Sequence, residues 1–115
     1  MYTLSYAEVL EGDSREARMR ERIVFDRAIE LMKKAEKSPP RAPERLQAVQ
    51  FVQRLWGYFV QDLTDPDNEL ADNLKSDLVS IGLWSIAEAD RILTEKKQSF
   101  AALIEVNTSI RDGLK

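Results

Sequence analysis

The sequence contains no cysteine and no histidine. Without a thiol there is no disulfide, no thiolate metal ligand and no cysteine nucleophile. Without an imidazole, the commonest general base near neutral pH and the commonest transition-metal ligand are also missing. Glycine and proline are scarce, four of each in 115 residues, and they form neither a glycine-rich phosphate loop nor a Gly-x-Ser-x-Gly elbow. Nowhere do about 18 apolar residues run together, as a membrane-spanning helix requires. The opening stretch MYTLSYAEVLEGDS lacks the basic start and unbroken apolar run of a signal peptide. No membrane insertion and a cytoplasmic location are therefore expected. An excess of positive charge is missing as well. The net charge is −3, residues 1–40 carry eight basic and eight acidic side chains, and residues 64–115 carry six basic and ten acidic. Neither part offers the basic face that neutralises phosphates, so direct nucleic-acid binding is not expected. The run Arg15, Arg18, Arg20 and Arg22 is interleaved with Glu16 and Glu21, and it reads better as a solvated helix face laced with ion pairs.

Apolar residues make up 43% of the chain and charged residues 32%, a balance that supports one core and a polar surface over a single domain, residues 1–115. Pro39, Pro40 and Pro43 mark one boundary, and the turn formers Thr64-Asp65-Pro66-Asp67-Asn68 mark another. Elsewhere apolar residues recur at helical spacing and never alternate as in a strand. The pattern predicts an all-α fold, an antiparallel four-helix bundle with helices over about 14–37, 43–63, 69–96 and 100–112 and a short N-terminal extension over 1–10. In the first helix Ser14 is the expected N-cap, and the expected inner stripe is Met19, Ile23, Val24, Ala28, Leu31 and Ala35, widened by Phe25, Ile29 and Met32. Pro43 suits the first position of the second helix. The third is apolar on two sides, with Leu74, Leu78, Ile81, Trp84 and Ile92 on one and Val79, Leu83, Ile86 and Leu93 on the other. Ser99 is the expected cap of the fourth.

Few side chains suggest catalysis. Asp65, Asp67, Asn68 and Glu69 bring oxygen ligands together, but the spacing lacks the glycine and distal glutamate of a calcium loop, and a capped turn explains them better. Glu88 and Asp90 are two apart and do not face each other on a helix. Ser76 and Lys75 are adjacent and diverge. Neither an enzyme nor a metal or cofactor site is expected. Trp56, Tyr58 and Phe59 could form a stacking platform, but Trp56 and Phe59 fall on the apolar side of their helix as core residues do, while Tyr58 points another way. Gly57 and Gly82, inside helices, are expected where helices approach closely. What remains favours a protein partner. Tyr2, Leu4, Tyr6, Val9 and Leu10 form an apolar segment that the bundle does not require, and the second and third helices carry surplus apolar surface. An oligomer or a groove for an amphipathic helix would bury that surplus.

Five segments carry a family resemblance: Ser5-Tyr6-Ala7-Glu8-Val9, Leu55-Trp56, Asp65-Pro66-Asp67-Asn68, Ser80-Ile81-Gly82-Leu83-Trp84 and Ile110-Arg111-Asp112-Gly113-Leu114-Lys115. In their order and spacing along nearly the whole chain, the sequence resembles the FlaF family of flagellar biosynthesis regulatory proteins. The resemblance implies a protein that binds flagellin in the cytoplasm, acts as its export chaperone and promotes its synthesis and secretion. It also implies FlbT, a post-transcriptional repressor of flagellin synthesis, as a functional partner. Flagellin has amphipathic terminal helices that are disordered before assembly, and a helical bundle with spare apolar grooves suits such a client. Tyr2, Tyr6 and Val9, with Ile110 and Leu114, are the expected partner-binding residues. The alternative is a post-transcriptional regulator acting through FlbT or flagellin messenger RNA. A third reading is a homo-oligomer.

Overall fold

A computed structural model describes residues 6–95 and 99–113, with side chains from residue 19 onward. Among them the chain forms four α-helices, α1 (Tyr6–Glu36), α2 (Pro43–Leu63), α3 (Asp72–Thr94) and α4 (Ala101–Gly113). They pack in a ring in which α1 lies against α2 and α4, α2 against α3, and α3 only marginally against α4. The all-α bundle is thus as the periodicity predicts.

The boundaries of α2 follow the turn chemistry. Pro43 occupies the first helical turn behind an extended Ala42, where its missing N–H removes no hydrogen bond. At the other end the Asp65 carboxylate accepts from Asp67 N at 2.8 Å, and Asn68 Oδ1 accepts from Leu70 N at 3.0 Å. These Asx turns use the oxygens that resembled metal ligands. They also hold Leu70 outside the helix, so α3 starts at Asp72 instead of near residue 69. The start of α1 departs further from expectation. Residues 6–10, expected as a separate extension, belong to α1, and Ser14 lies inside the helix instead of capping it. Ser14 was the start signal there, and a serine inside a helix is only mildly unfavourable.

The core is built from Phe25, Ala28, Ile29, Met32 and Ala35 of α1, Ala48, Val49, Val52, Leu55 and Trp56 of α2, Ala89 and Ile92 of α3, and Phe100 and Leu103 at the start of α4. In α1 Ala28 and Ala35 of the expected stripe, and Phe25, Ile29 and Met32 expected to widen it, are buried, whereas Met19 and Ile23 are exposed and Val24 and Leu31 half-buried. The inner face of α3 also differs from expectation. Gly82, Ser85, Ala89 and Ile92 are buried there, whereas Leu78, Ile81 and Trp84 are half-buried and Leu74 is exposed. Small residues bring α3 close to α2, and the larger ones flank that contact.

One side chain explains the closeness. The fully buried Trp56 lies over Gly82, where a Cβ would stand 2.7 Å from Trp56 Cε3 and 2.7 Å from Val60 Cγ2. The edge of Phe25 meets the indole at a centroid distance of 5.4 Å, and Phe59 meets it at 5.5 Å. Its Nε1 donates to Asn107 Oδ1 of α4 at 2.8 Å, and Asn107 Nδ2 donates to Leu103 O at 2.8 Å. Trp56 therefore touches all four helices, and its single polar atom is satisfied in the interior. The expected close approach holds at Gly82. At Gly57 a Cβ would meet nothing within 4 Å, so that part of the expectation fails.

The short α4 is fixed by polar contacts at both ends. At its start Ser99 Oγ accepts from Ala101 N at 3.0 Å, the expected cap. Glu36, at the end of α1, accepts from Ser99 Oγ at 2.8 Å through one carboxylate oxygen and from Phe100 N through the other. A carboxylate at a helix N-terminus is favourable for the unpaired amides and for the helix dipole. The Arg45 guanidinium lies 5.0 Å from the centre of the Phe100 ring. At the far end Arg111 Nη1 pairs with Asp26 of α1 at 3.0 Å, and Nη2 pairs with Asp112 at 2.9 Å. The hydrogen bonds that Arg111 donates to Asp112 and to Asp26 raise its pKa above the ordinary value.

Candidate functional site

α1 and α2 enclose a concavity of about 400 Å³ on one flank of the bundle. Val24, Leu55 and Phe59 make its apolar floor, Arg20, Glu21 and Asp62 stand at its rim, and Tyr58 forms one wall. The floor is pre-formed because Phe59 is held edge-on by Phe25 at 5.8 Å and by Trp56 at 5.5 Å. Tyr58 is 71% exposed. On its other side lies a shallower depression lined by Arg54, Gly57 and Gln61, where the missing Gly57 side chain leaves the space open. An aromatic ridge between two depressions, with both charge signs at the rim, fits protein recognition, in which tyrosine and arginine anchors are over-represented.

Among the described residues no group of three or more acidic side chains could hold a metal ion. No described helix is long and apolar enough to cross a membrane. Glu88 is committed to Arg91 at 2.7 Å, and Lys75 Nζ donates to the Asn68 carbonyl.

Of the residues expected to contact a partner, Tyr2 and Leu114 lie outside the described residues. Tyr6 and Val9 fall on the first turns of α1, where the backbone alone is described. Ile110 is half-buried against the core. The Arg111–Asp26 pair sets α4 beside the middle of α1. Ile110 therefore lies roughly 25 Å along α1 from Val9 at 1.5 Å per residue, and the two do not form one surface. The expectation missed the α1–α2 groove. Its signal in the sequence is Tyr58, which diverges from Trp56 and Phe59 on the helix and faces solvent.

Among the described residues, parts of four of the five segments that carry the family resemblance fall at packing positions. Trp56 meets Gly82, Asp65 and Asn68 cap the α2–α3 turn, and Arg111 binds α4 to α1. They specify the bundle, which explains why none has a catalytic look. No curated protein and no solved structure matches the chain. The family model for flagellar protein FlaF matches residues 2–114, and with the match running over almost every position of the sequence, the chain belongs to the FlaF family of flagellar proteins.

Proposed function

We propose that this protein binds flagellin in the cytoplasm, holds it ready for export and thereby promotes flagellin synthesis and secretion. Membership of a flagellar family supports the setting, and one observation supports the mode of binding. The groove floored by Val24, Leu55 and Phe59 and walled by the exposed Tyr58 is apolar, pre-formed and open at the surface. An amphipathic helix can lay its apolar face into such a groove and keep its polar face in water. Because the client's helices are unfolded before capture, part of the gross binding energy goes into ordering them, and moderate affinity is expected. The rim, with Arg20 beside Glu21 and Asp62, is mixed in sign. That supports a protein client over flagellin messenger RNA, which would need a basic track. FlbT enters this reading as a second protein partner.

The test is titration calorimetry of purified flagellin into the wild-type protein and into a Tyr58→Glu variant. Micromolar binding is expected for the wild type and a loss of at least about tenfold for the variant, the size of an interface anchor. The thermal stability of the variant should be unchanged because Tyr58 is mostly solvent-exposed. Failure of the wild-type protein to bind at micromolar concentrations would remove the proposed function. Equal binding by the variant would remove the groove as its site.

A further inference from the structure

The trough between α1 and α2 runs on beyond the concavity described above. Leu31 follows Val24 by seven residues on α1, and Phe51 precedes Tyr58 by seven on α2, a spacing that keeps side chains on one side of a helix. Leu31 and Phe51 are both half-buried against the core. The antiparallel register that brings Arg20, Glu21 and Val24 against Leu55, Phe59 and Asp62 sets them level with each other, so the apolar floor repeats two turns farther along. The two rims differ in charge. On the α1 rim Arg20 is followed at the same spacing by Arg27 and Lys34, all three exposed. On the α2 rim Asp62 stands at one end, and Glu44, five turns back on the same side, stands at the other. Of the two basic residues of α2, Arg45 lies over the Phe100 ring and Arg54 lies across the Tyr58 ridge in the second depression. Glu21 shares its side of α1 with the buried Ala28, seven residues on; it therefore points toward α2 and adds to the negative charge of Asp62.

We infer that the groove selects its client by the charge of its flanks and thereby fixes the direction in which the client lies. The occupant is an amphipathic helix with acidic residues along the flank that meets α1 and basic residues along the flank that meets α2. This rests on the groove being the client site proposed above. Turning such a helix end for end, with its apolar stripe kept on the floor, exchanges its flanks. Rims of opposite sign therefore accept one direction and repel the other. Flanking charges set partner and orientation along a coiled-coil seam in the same way, through repulsion of the wrong arrangement as much as attraction of the right one. The pairing of Arg27 with Glu30 does not stand in the way, because the two side chains are 58% and 69% exposed and an exposed pair holds its partners weakly. A nucleic acid, negative along its whole backbone, would be repelled by Glu21, Glu44 and Asp62.

Calorimetry with purified flagellin tests the selection. Arg27→Glu together with Lys34→Glu, and separately Asp62→Lys, should each weaken binding by about tenfold while the melting temperature stays near wild type, since all three residues are exposed. The two changes move the net charge in opposite directions, so a general charge attraction cannot produce both losses. Arg54→Glu, across the ridge, should leave the affinity within about twofold of wild type, as is usual for a charge outside the contact. Direction is read by crosslinking. The chain has no cysteine, so Gln47→Cys and Gln61→Cys, both exposed, each carry a single photocrosslinker toward opposite ends of α2. Their crosslinks should fall about 14 residues apart on one flagellin helix, in the one order that turns its acidic flank to α1. Binding indifferent to both rim reversals overturns the inference and leaves the client site standing, as do crosslinks in both orders or in the reverse order. Absence of flagellin binding by the wild type, or of any crosslink from either position, removes the client site and the inference with it.

Discussion

Replacing Gly82 by alanine puts a methyl group into a contact that has no room for it. The new Cβ would stand 2.7 Å from both Trp56 Cε3 and Val60 Cγ2, with Trp56 Cζ3 at 3.3 Å. Carbon atoms in contact prefer about 3.5–4.0 Å, so the shortfall is about 1 Å at two atoms. The indole cannot retreat freely, because Phe25 and Phe59 flank it and Asn107 holds its Nε1. Overpacking of this kind costs about 1–3 kcal/mol or more, and the better helix propensity of alanine offsets about 1 kcal/mol of it. A net loss of up to about 2 kcal/mol follows, or up to roughly 8 °C in melting temperature for a domain of this length. Gly57→Ala is the internal control. It has the same propensity gain and nothing within 4 Å, so it should stabilise by about 0.5–1 kcal/mol. Calorimetric melts of both variants, with chemical denaturation as a second measure, decide the matter. If Gly82→Ala melts at or above the wild-type temperature, α2 and α3 are not held apart by the indole and the packing argument fails.

Three further substitutions probe the interior and the caps. Asn107→Leu should cost about 2–3 kcal/mol because it strands the buried Trp56 N–H. The penalty should shrink when Trp56 is also changed to Phe, and a double-mutant cycle by urea denaturation measures the difference. Ser85→Ala should stabilise by up to about 1 kcal/mol in the same assay, since Ser85 Oγ is buried with no hydrogen-bond partner among the described residues; a clear loss would show that the hydroxyl is satisfied. Glu36→Ala should cost about 1 kcal/mol, the value of a helix cap, and should speed hydrogen exchange in the first turn of α4 ahead of the rest. Unchanged exchange there would mean that Ser99 alone caps the helix.

The sequence is most readable where local chemistry decides the outcome. Pro39, Pro40 and Pro43 on one side and Thr64 to Asn68 on the other bound α2 at Pro43 and Leu63 as predicted, because proline and Asx turns act within a few residues. The N-terminal start of α1 is less legible. Gly12, Asp13 and Ser14 resemble a helix start, yet each is only mildly unfavourable inside a helix, and a long neighbouring run overrides them. The direction of each inner face is harder still. Met19 and Ile23 are as apolar as Phe25 and Met32, and the packing of α1 on the other helices, with Phe25 against Trp56, decides which pair is covered. In α3 the same indole requires Gly82 in place of a larger residue, a choice made by a residue on another helix. The groove was half-visible. The divergence of Tyr58 from Phe59 can be read from helical spacing, but the concavity needs α1 packed beside α2. The apolar surplus of α3 was visible in Leu83 and Leu93, whose exposure the fold retains.

The arrangement at Glu36 has a consequence for the newborn protein. A 13-residue helix does not persist alone in water, and this one draws its cap from a carboxylate that precedes it by more than sixty positions. The ribosome delivers that segment after the other three helices. Until it docks, Trp56 has an unanswered donor and an uncovered ring. Copies whose translation stops early stay in that state and present a greasy surface to cellular proteases. Sealing of the tryptophan therefore waits for synthesis of α4, and a protease-protection time course during synthesis would see it as one step that follows the first three helices.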